Sequence, residues 1–335
     1  MMIILLYSRF STQSIRVLIY YFVNFYNFIH LINPTKFTTL SLITFNLTNI
    51  CVMIIKIGGI SMQTKKLIVT DLDGTALQNW ETLDSKTKKA LMAAKEEGHI
   101  VVIATGRPAR ASLHFYKELG LDTPIINFNG AYIHHPTDES FDDIVAQIPT
   151  EVIITLFDSE LKDYIVNAFC EYKDHLYVLH KGDTIRDWFH VETCTSVKYG
   201  PFKETLDQHP NGFLLETKDG YAPKVMEFLR QHYSDIITCR SWDGDNSNIV
   251  EVFKSDTNKA TAIEKLAQYF NIEQKDIIAF GDGDNDIEML TYAGTGVAMD
   301  NAIDQLKAVA NTTTKSNKES GVAHYIHEYI LTPKS

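Results

Sequence analysis

Two aspartates, Asp71 and Asp73, stand two residues apart in the stretch V-T-D-L-D-G-T-A-L, directly after a short apolar run. Asp-Gly is a common turn signal, and a bare pair of this kind is often a solvated acidic turn. The apolar run before the pair and Thr75 after it favour a chemical role instead. At this spacing, one carboxylate can point at a bound electrophile while the other reaches the leaving group.

A second acidic cluster, G-D-G-D-N-D, begins at Gly281 and includes Asp282 and Asp286. An EF-hand calcium loop is longer and ends in Glu, so this cluster does not fit that pattern. An acidic pair at the end of a strand suits Mg²⁺, which is held by few carboxylates together with waters and a substrate phosphate. Because this many carboxylates would repel an anionic phosphate, we expect a divalent cation to bind with it.

Two further segments offer partners for phosphate. Thr105-Gly106 supplies a hydroxyl and backbone N–H groups, and we expect it to lie at a helix N-terminus, where phosphate oxygens bind. An ordinary helix cap is the alternative interpretation of this pair. Lys259 lies near the start of another predicted helix and is by default a surface lysine. If that helix starts at the same sheet edge, the ammonium group of Lys259 balances phosphate charge.

The elements that must position these residues follow a repeated order of apolar strand, polar loop and helix from Met62 onward. Such alternation, with nearly continuous apolar strands, predicts an α/β fold with a doubly wound, Rossmann-like parallel sheet. Ligands bind beyond the carboxyl ends of the strands in these sheets, and right-handed crossovers bring the loops to one edge. Four predicted strands end there in polar groups, at Asp71 and Asp73, Thr105-Gly106, Asn129-Gly130, and Asp282 to Asp286.

Caps and apolar spacing also place individual elements. They predict a helix that starts at Asp84 or Ser85 and stops at Gly98, a helix from Thr257 to Phe270, and a last strand from Gly296 to Met299.

Residues 147–247 differ in character, because strand-like and helical patterns are mixed there and no strand ends in a glycine-acid cluster. This pattern predicts a second, α+β domain inserted into the first. The expected catalytic core is therefore 62–146 plus 248–335, with 147–247 as the inserted domain.

The first 61 residues contain no Asp or Glu and only four basic residues. Their Ile, Phe, Asn and Tyr are typical of translated A+T-rich non-coding sequence, and we expect Met62 to be the true start. The alternative is a membrane anchor, because residues 37–55 carry no charge.

A net charge of −11 and a pI near 5.5 disfavour sequence-independent nucleic-acid binding, which needs a basic surface. Small-molecule partners are favoured, and a membrane is expected as a partner only if residues 1–61 are expressed. The four cysteines lack CxxC spacing, which favours reduced thiols in a cytoplasmic protein. The sequence does not indicate an oligomeric state.

Taken in order, D-L-D-G-T, A-T-G-R-P, F-N-G-A, N-K-A and G-D-G-D-N-D resemble the motifs of the haloacid dehalogenase-like (HAD) phosphatases. The resemblance is to their Cof-type (HAD-IIB) branch, in which a large α+β cap domain of the C2B type is inserted between the second and third motifs. It extends over residues 64–330. Two departures are small: Ala260 stands where Gly is usual after the lysine, and Asp300 replaces a frequent Gly.

The resemblance implies a Mg²⁺-dependent phosphatase that hydrolyses a small phosphorylated metabolite, such as a sugar phosphate, through an aspartyl-phosphate intermediate. The first aspartate of this family, here Asp71, is the nucleophile. The second, here Asp73, is the general acid/base and lends its backbone carbonyl to Mg²⁺. The implied phosphate-binding residues are Leu72 through its backbone, Thr105, Gly106, Lys259 and Asn285. The implied metal-binding residues are Asp71, Asp73, Asp282 and Asp286.

Other functions stay open at this point. A phosphomutase of the same superfamily would use the same aspartates but return the phosphoryl group to a sugar, and a catalytically silent sensor would keep only the fold. A dinucleotide-binding oxidoreductase is disfavoured, because no G-x-G-x-x-G follows any predicted strand. Sugar phosphates, nucleotides, pyridoxal phosphate and flavin-pathway phosphates all remain candidate substrates.

Overall fold

The computed structural model describes residues 64–182, 191–242 and 247–331. The predicted start at Met62 and the alternative of a membrane anchor within residues 1–61 lie outside this range. None of the helices in the described ranges combines the length and the hydrophobicity that a membrane crossing requires.

The first part of the described chain alternates strands and helices as the sequence predicts. Its elements are β1 (Leu67–Thr70), β2 (Leu77–Asn79), β3 (Thr82–Leu83), α1 (Ser85–Glu96), β4 (Ile100–Ile103), α2 (Leu113–Glu118), β5 (Ile125–Asn127), β6 (Tyr132–His134) and β7 (Ile144–Val145).

The middle part mixes helices with longer strands. Its elements are α3 (Thr150–Asp158), β8 (Ile165–Tyr172), β9 (His175–Val178), β10 (Ser196–Tyr199), α4 (Phe202–Thr205), β11 (Gly212–Thr217), α5 (Ala222–Tyr233), β12 (Ile237–Ser241) and β13 (Ile249–Lys254).

The last part returns to alternating strands and helices. Its elements are α6 (Lys259–Phe270), β14 (Ile277–Gly281), α7 (Ile287–Tyr292), β15 (Thr295–Ala298), α8 (Asp304–Val309), β16 (Thr312–Thr313) and α9 (Gly321–Tyr329). The short strand β16 follows β15, so the strand predicted to be last is followed by one more.

The core sheet is parallel and has the strand order β16-β15-β14-β1-β4. A parallel bridge between Ala104 and Ile126 continues it to β5. The central strand β1 is buried along its whole length, which explains its unbroken apolar pattern. Thr70, its last residue, pairs with Ile103 of β4 and Phe280 of β14. The loops after these three strands therefore start at one edge, and the predicted doubly wound α/β fold is confirmed.

The inserted sheet has six strands in the order β10-β9-β8-β11-β13-β12 and its own hydrophobic core. The strand β13 pairs antiparallel with β11 and β12. The inserted sheet therefore extends to Lys254, beyond the expected boundary at residue 247, because pairing across the sheet is not visible in the local pattern. We refer to this sheet and its helices as the cap.

Helix caps explain where the helices next to the site begin. The Asp84 carboxylate accepts a hydrogen bond of 2.7 Å from the Thr87 N–H at the start of α1. Asn258 and Thr261 bond to each other in a capping box at the start of α6. This cap makes Lys259 the first residue of α6 and directs the start of the helix to the sheet edge.

Candidate active site

The chain turns sharply after β1, and the turn depends on Gly74. This glycine has φ +72°, and a Cβ there would lie 2.0 Å from Oδ2 of Asp282. The turn therefore packs directly on the loop after β14. Thr75 stabilises this contact, because its hydroxyl donates a 2.8 Å hydrogen bond to Oδ1 of Asp282.

Lys259 is fully buried between two carboxylates. Its Nζ donates to Oδ1 of Asp71 at 2.6 Å and to Oδ1 of Asp286 at 2.7 Å. Burial by itself would lower the pKa of this ammonium, but Asp286 and Asp71 outweigh burial and raise the pKa above its usual value. Lys259 is thus a charged residue inside the site, and the default interpretation as a surface lysine is wrong.

Three carboxylates, those of Asp71, Asp282 and Asp286, offer oxygen atoms that lie within 4.8 Å of one another. Burial raises the pKa of Asp71 well above its usual value, although Lys259 opposes this shift. Burial, together with the charge of Asp286, raises the pKa of Asp282 to about 7. Three close, partly dehydrated carboxylates carry more negative charge than the single ammonium of Lys259 balances. Their hard oxygen atoms fit a divalent metal site.

Asp286 is held from several sides by the loop after β14. Its Oδ2 accepts from the N–H groups of Asp282 at 2.9 Å and Gly283 at 3.0 Å. A Cβ on Gly281 would lie 2.5 Å from this side chain, which is why the strand ends in glycine. The loop therefore fixes Asp286 in one orientation before any ligand binds.

Asp73 lies beside the three-carboxylate group and has a different partner. The Arg107 guanidinium holds it with two hydrogen bonds, from Nε to Oδ2 at 2.8 Å and from Nη2 to Oδ1. Arg107 also donates to the Trp80 carbonyl at 2.6 Å. Arg107 is not among the site residues predicted from the sequence, although an arginine directly after Thr105-Gly106 at a strand end is a signal that the sequence contains.

Thr105 and Gly106 reach the same edge, but no α-helix starts at them. A 3-10 turn at Ala109–Ala111 follows, and α2 begins only at Leu113. The expectation of a helix N-terminus is therefore wrong, because Pro108 and the turn separate this pair from the helix. The Thr105 hydroxyl accepts from the Arg107 N–H at 3.1 Å, which keeps the segment compact.

Asn285 and Leu72 complete the predicted set. Asn285 Nδ2 donates to Oδ1 of Asn129 at 2.9 Å, which joins the loop after β14 to the loop after β5. The side chain of Leu72 is fully buried in the core, so that only its backbone can face a ligand. The structure thus brings every predicted residue to one edge of the core sheet. It adds Arg107 to the site and brings Asn129, which was predicted at this edge, into contact with Asn285.

Comparison with known proteins places the chain among characterised relatives. Residues 68–326 match the family of haloacid dehalogenase-like hydrolases. The 5-amino-6-(5-phospho-D-ribitylamino)uracil phosphatase YitU of Bacillus subtilis is 38% identical over 270 residues, which are 80% of this chain and 99% of that protein. The pyridoxal phosphate phosphatase YbhA of Escherichia coli is 29% identical over 276 residues, which cover 80% of this chain and all of that protein.

Solved structures agree on the fold. The structure of the subclass IIB sugar phosphatase BT4131 superposes with a TM-score of 0.64 at 22% identity, and the match covers 79% of this chain and 99% of that one. The match includes the parallel core sheet and the inserted cap. This chain therefore belongs to the haloacid dehalogenase-like hydrolases, as a phosphoric monoester hydrolase.

Proposed function

We propose that this protein is a Mg²⁺-dependent phosphatase that forms an aspartyl-phosphate on Asp71. The observation that carries the proposal is the buried ammonium of Lys259, held between Asp71 and Asp286 and close to Asp282. The Lys259 ammonium opposes the rise in the pKa of Asp71 and so favours its ionised, nucleophilic form, and it supplies positive charge for phosphate.

Each residue has one task in the proposed reaction. Asp71 attacks phosphorus and forms an acyl phosphate, while the bond from phosphorus to the leaving oxygen breaks. Asp73 gives a proton to that oxygen and then takes one from the water that hydrolyses the intermediate. Through two hydrogen bonds, Arg107 orients the Asp73 carboxylate, which is the form that takes the proton from water. The products are an alcohol and free phosphate.

The phosphate oxygens need donors and positive charge, because most of the catalysis of phosphoryl transfer is electrostatic. Lys259 supplies the charge. The remaining proposed donors are the Thr105 hydroxyl, the N–H groups of Leu72 and Gly106, and the Asn285 amide. A bound Mg²⁺ would be held by Asp71, Asp282, Asp286 and the Asp73 carbonyl and would neutralise phosphate charge.

The proposed substrate is a small metabolite that carries its phosphate on a sugar or sugar-alcohol chain. The support comes from the 38% identical relative, which is named for 5-amino-6-(5-phospho-D-ribitylamino)uracil. That compound is therefore the first to test, with pyridoxal phosphate and sugar phosphates beside it. Such metabolites agree with the predicted cytoplasmic location.

The direct test replaces the proposed nucleophile. Asp71→Asn should abolish phosphate release from p-nitrophenyl phosphate, because an amide oxygen cannot form a hydrolysable acyl phosphate. Asp143→Asn, which alters an ion pair with Lys173 away from the site, should keep wild-type activity. Turnover by the Asp71→Asn variant would refute the scheme, and formation of a sugar bisphosphate without free phosphate would indicate a mutase.

Metal removal is a second test. Treatment with EDTA should abolish activity, and added Mg²⁺ should restore it, because the three carboxylates oppose the approach of phosphate when no cation is bound. Full activity after exhaustive chelation would contradict the proposed role of the metal.

A further inference from the structure

Five polar side chains from the core and the cap form a ring of contacts at the loop after β14, closed by the peptide bond between Asp284 and Asn285, and we call it the bridging ring. The core supplies Asn129, Asp284 and Asn285, and the cap supplies Arg240 of β12 and Glu251 of β13. Asn285 Nδ2 lies 2.9 Å from Asn129 Oδ1, and Asn129 Nδ2 lies 3.2 Å from Glu251 Oε1. Arg240 donates to Glu251 Oε2 and to Asp284 Oδ2, both at 2.9 Å.

The cap side of the bridging ring is rigidly placed. Arg240 and Glu251 are directly opposite each other in the register of β12 and β13, so that their ion pair is a cross-strand pair. The guanidinium also lies 5.5 Å from the ring centroid of Phe253. Glu251 therefore presents its second oxygen to the core in a fixed position.

The backbone of Asn129 is also fixed. It adopts a left-handed conformation with φ +53°, and its N–H donates to the Thr105 carbonyl at 3.0 Å. A Cβ on Gly106 would lie 3.1 Å from its Oδ1, so there is little space on that side. The backbone does not determine whether the oxygen or the NH₂ group of the Asn129 side chain faces the cap, so neighbouring side chains must do so.

An ionised carboxylate can only accept hydrogen bonds, whereas an amide both donates and accepts. Glu251 therefore draws the NH₂ group of Asn129 toward the cap, and the Asn129 oxygen then faces Asn285. Asn285 must therefore donate one N–H to the Asn129 oxygen, and its second N–H stays available for an anionic oxygen. With the opposite polarity, Asn285 would turn its carbonyl oxygen toward phosphate, and the two would repel each other.

We propose that Glu251 is a positioning residue that sets the donor polarity of Asn285 through Asn129. Phosphate binding at the core loop thereby depends on a cap residue, and the cap must lie against the core for the loop to be a donor. This inference rests on the proposed role of Asn285 in phosphate binding, and it adds a cap residue to a site otherwise built by the core.

The test replaces the Glu251 carboxylate by an amide of the same shape, which can donate as well as accept hydrogen bonds. Glu251→Gln should raise KM for p-nitrophenyl phosphate and the inhibition constant of inorganic phosphate about tenfold, as expected when one hydrogen bond to a charged group is lost. The turnover number should stay within about twofold, because the contact is present in both the bound and the transition state. Asp143→Asn, which removes the carboxylate of another ion pair between core and cap, is the matched control and should change neither constant.

A reciprocal exchange separates polarity from general damage. Asn129→Asp alone places two carboxylates face to face and should also raise KM. In the double variant, with Asn129→Asp and Glu251→Gln together, the glutamine amide donates to residue 129 and its oxygen still accepts from Arg240. Residue 129 then accepts from Asn285 as in the wild type, and KM should return to within about threefold of the wild-type value.

The outcomes are distinct. The inference is overturned if the KM of Glu251→Gln is unchanged. It is also overturned if the KM of the double variant is as high as that of the single variants. In both cases the wild type remains an active phosphatase. A wild type that releases no phosphate from any substrate refutes the proposed function instead. Thermal unfolding of each variant identifies any misfolded protein, and the double variant decides the question if a single variant does not fold.

Discussion

The two halves of the site differ in how their charges are held. In the inner half, the side chains of Lys259 and Asp71 are 0% and 6% exposed. In the outer half, those of Arg107 and Asp73 are 13% and 29% exposed. Each half pairs one cation with one of the two aspartates that stand two residues apart.

The difference separates the two chemical tasks. Charges interact more strongly away from water, so the inner half suits the phosphoryl group, whose chemistry is the same for every substrate. The outer half adjoins Trp80, which is 74% exposed, and solvent screens its charges more than those of the inner half. We expect this half to tolerate different leaving groups. Substitutions should therefore have larger effects in the inner half.

The largest effect is expected for Lys259→Met. This change keeps most of the length of the side chain but leaves Asp71 and Asp286 facing each other without the ammonium group. We expect kcat/KM for p-nitrophenyl phosphate to fall about a thousandfold, the size typical for loss of a buried charge that stabilises a transition state. Steady-state kinetics with added Mg²⁺ measures this.

Lys254→Met is the matched control, since Lys254 forms an exposed pair with Asp256 just before α6. It should leave kcat/KM within about twofold of the wild-type value, as is usual for exposed ion pairs. Equal losses in the two variants would show that the loss in Lys259→Met does not come from the buried position of its charge.

A smaller effect is expected for Arg107→Gln in the outer half. The Asp73 carboxylate would lose its two-point hydrogen bonding and rotate more freely. We expect kcat to fall about thirtyfold, because a misplaced general base is less effective, with KM nearly unchanged. Lys95→Gln, in an exposed pair with Asp122, serves as the control. If Arg107→Gln lost more activity than Lys259→Met, the outer half would matter more than the inner half, contrary to the expectation.

The smallest effect on activity is expected for substitution of His134, which is linked to Arg107 only through Asn127. Its Nε2 contacts Oδ1 of Asn127 at 3.1 Å, and Asn127 donates to the Arg107 carbonyl at 2.9 Å. Burial lowers the pKa of His134 to about 4. The unfolded chain therefore binds a proton that the folded chain does not, and stability is lost as pH falls from about 6.5 to about 4.

Replacing His134 by Gln should remove most of this dependence, because an amide N–H can still donate to Asn127 and does not titrate. Urea unfolding should show a wild-type loss of up to about 3 kcal/mol over that range and a flatter profile in the variant. His135→Gln, at a more exposed position, should keep the wild-type profile. A wild-type slope in His134→Gln would show that other groups cause the acid sensitivity.

Much of the fold was predictable because its signals are local. Asp84 and the spacing of Leu91 and Ala94 defined α1, and these two residues are buried as expected. The elements that were missed depend on distant pairing. The strand β13 belongs to the cap sheet through β11 and β12, and β16 is only two residues long and pairs with β15.

The sequence by itself determined which side chains could do the chemistry. The spacing of Asp71 and Asp73, the Gly-Asp loop from Gly281 and the alternation of strands and helices specified an acidic site at one sheet edge. Local patterns suffice for this, because strand, turn and cap preferences depend on near neighbours.

Only the tertiary structure decided which charges meet. Lys259 lies 188 residues from Asp71 in sequence, and Asn129 lies 122 residues from Glu251. No periodicity records such pairs, since they follow from how α6, the core sheet and the cap pack together. The partner of each charge, and with it the division of the site into a buried inner half and a partly buried outer half, is therefore a property of the packed molecule.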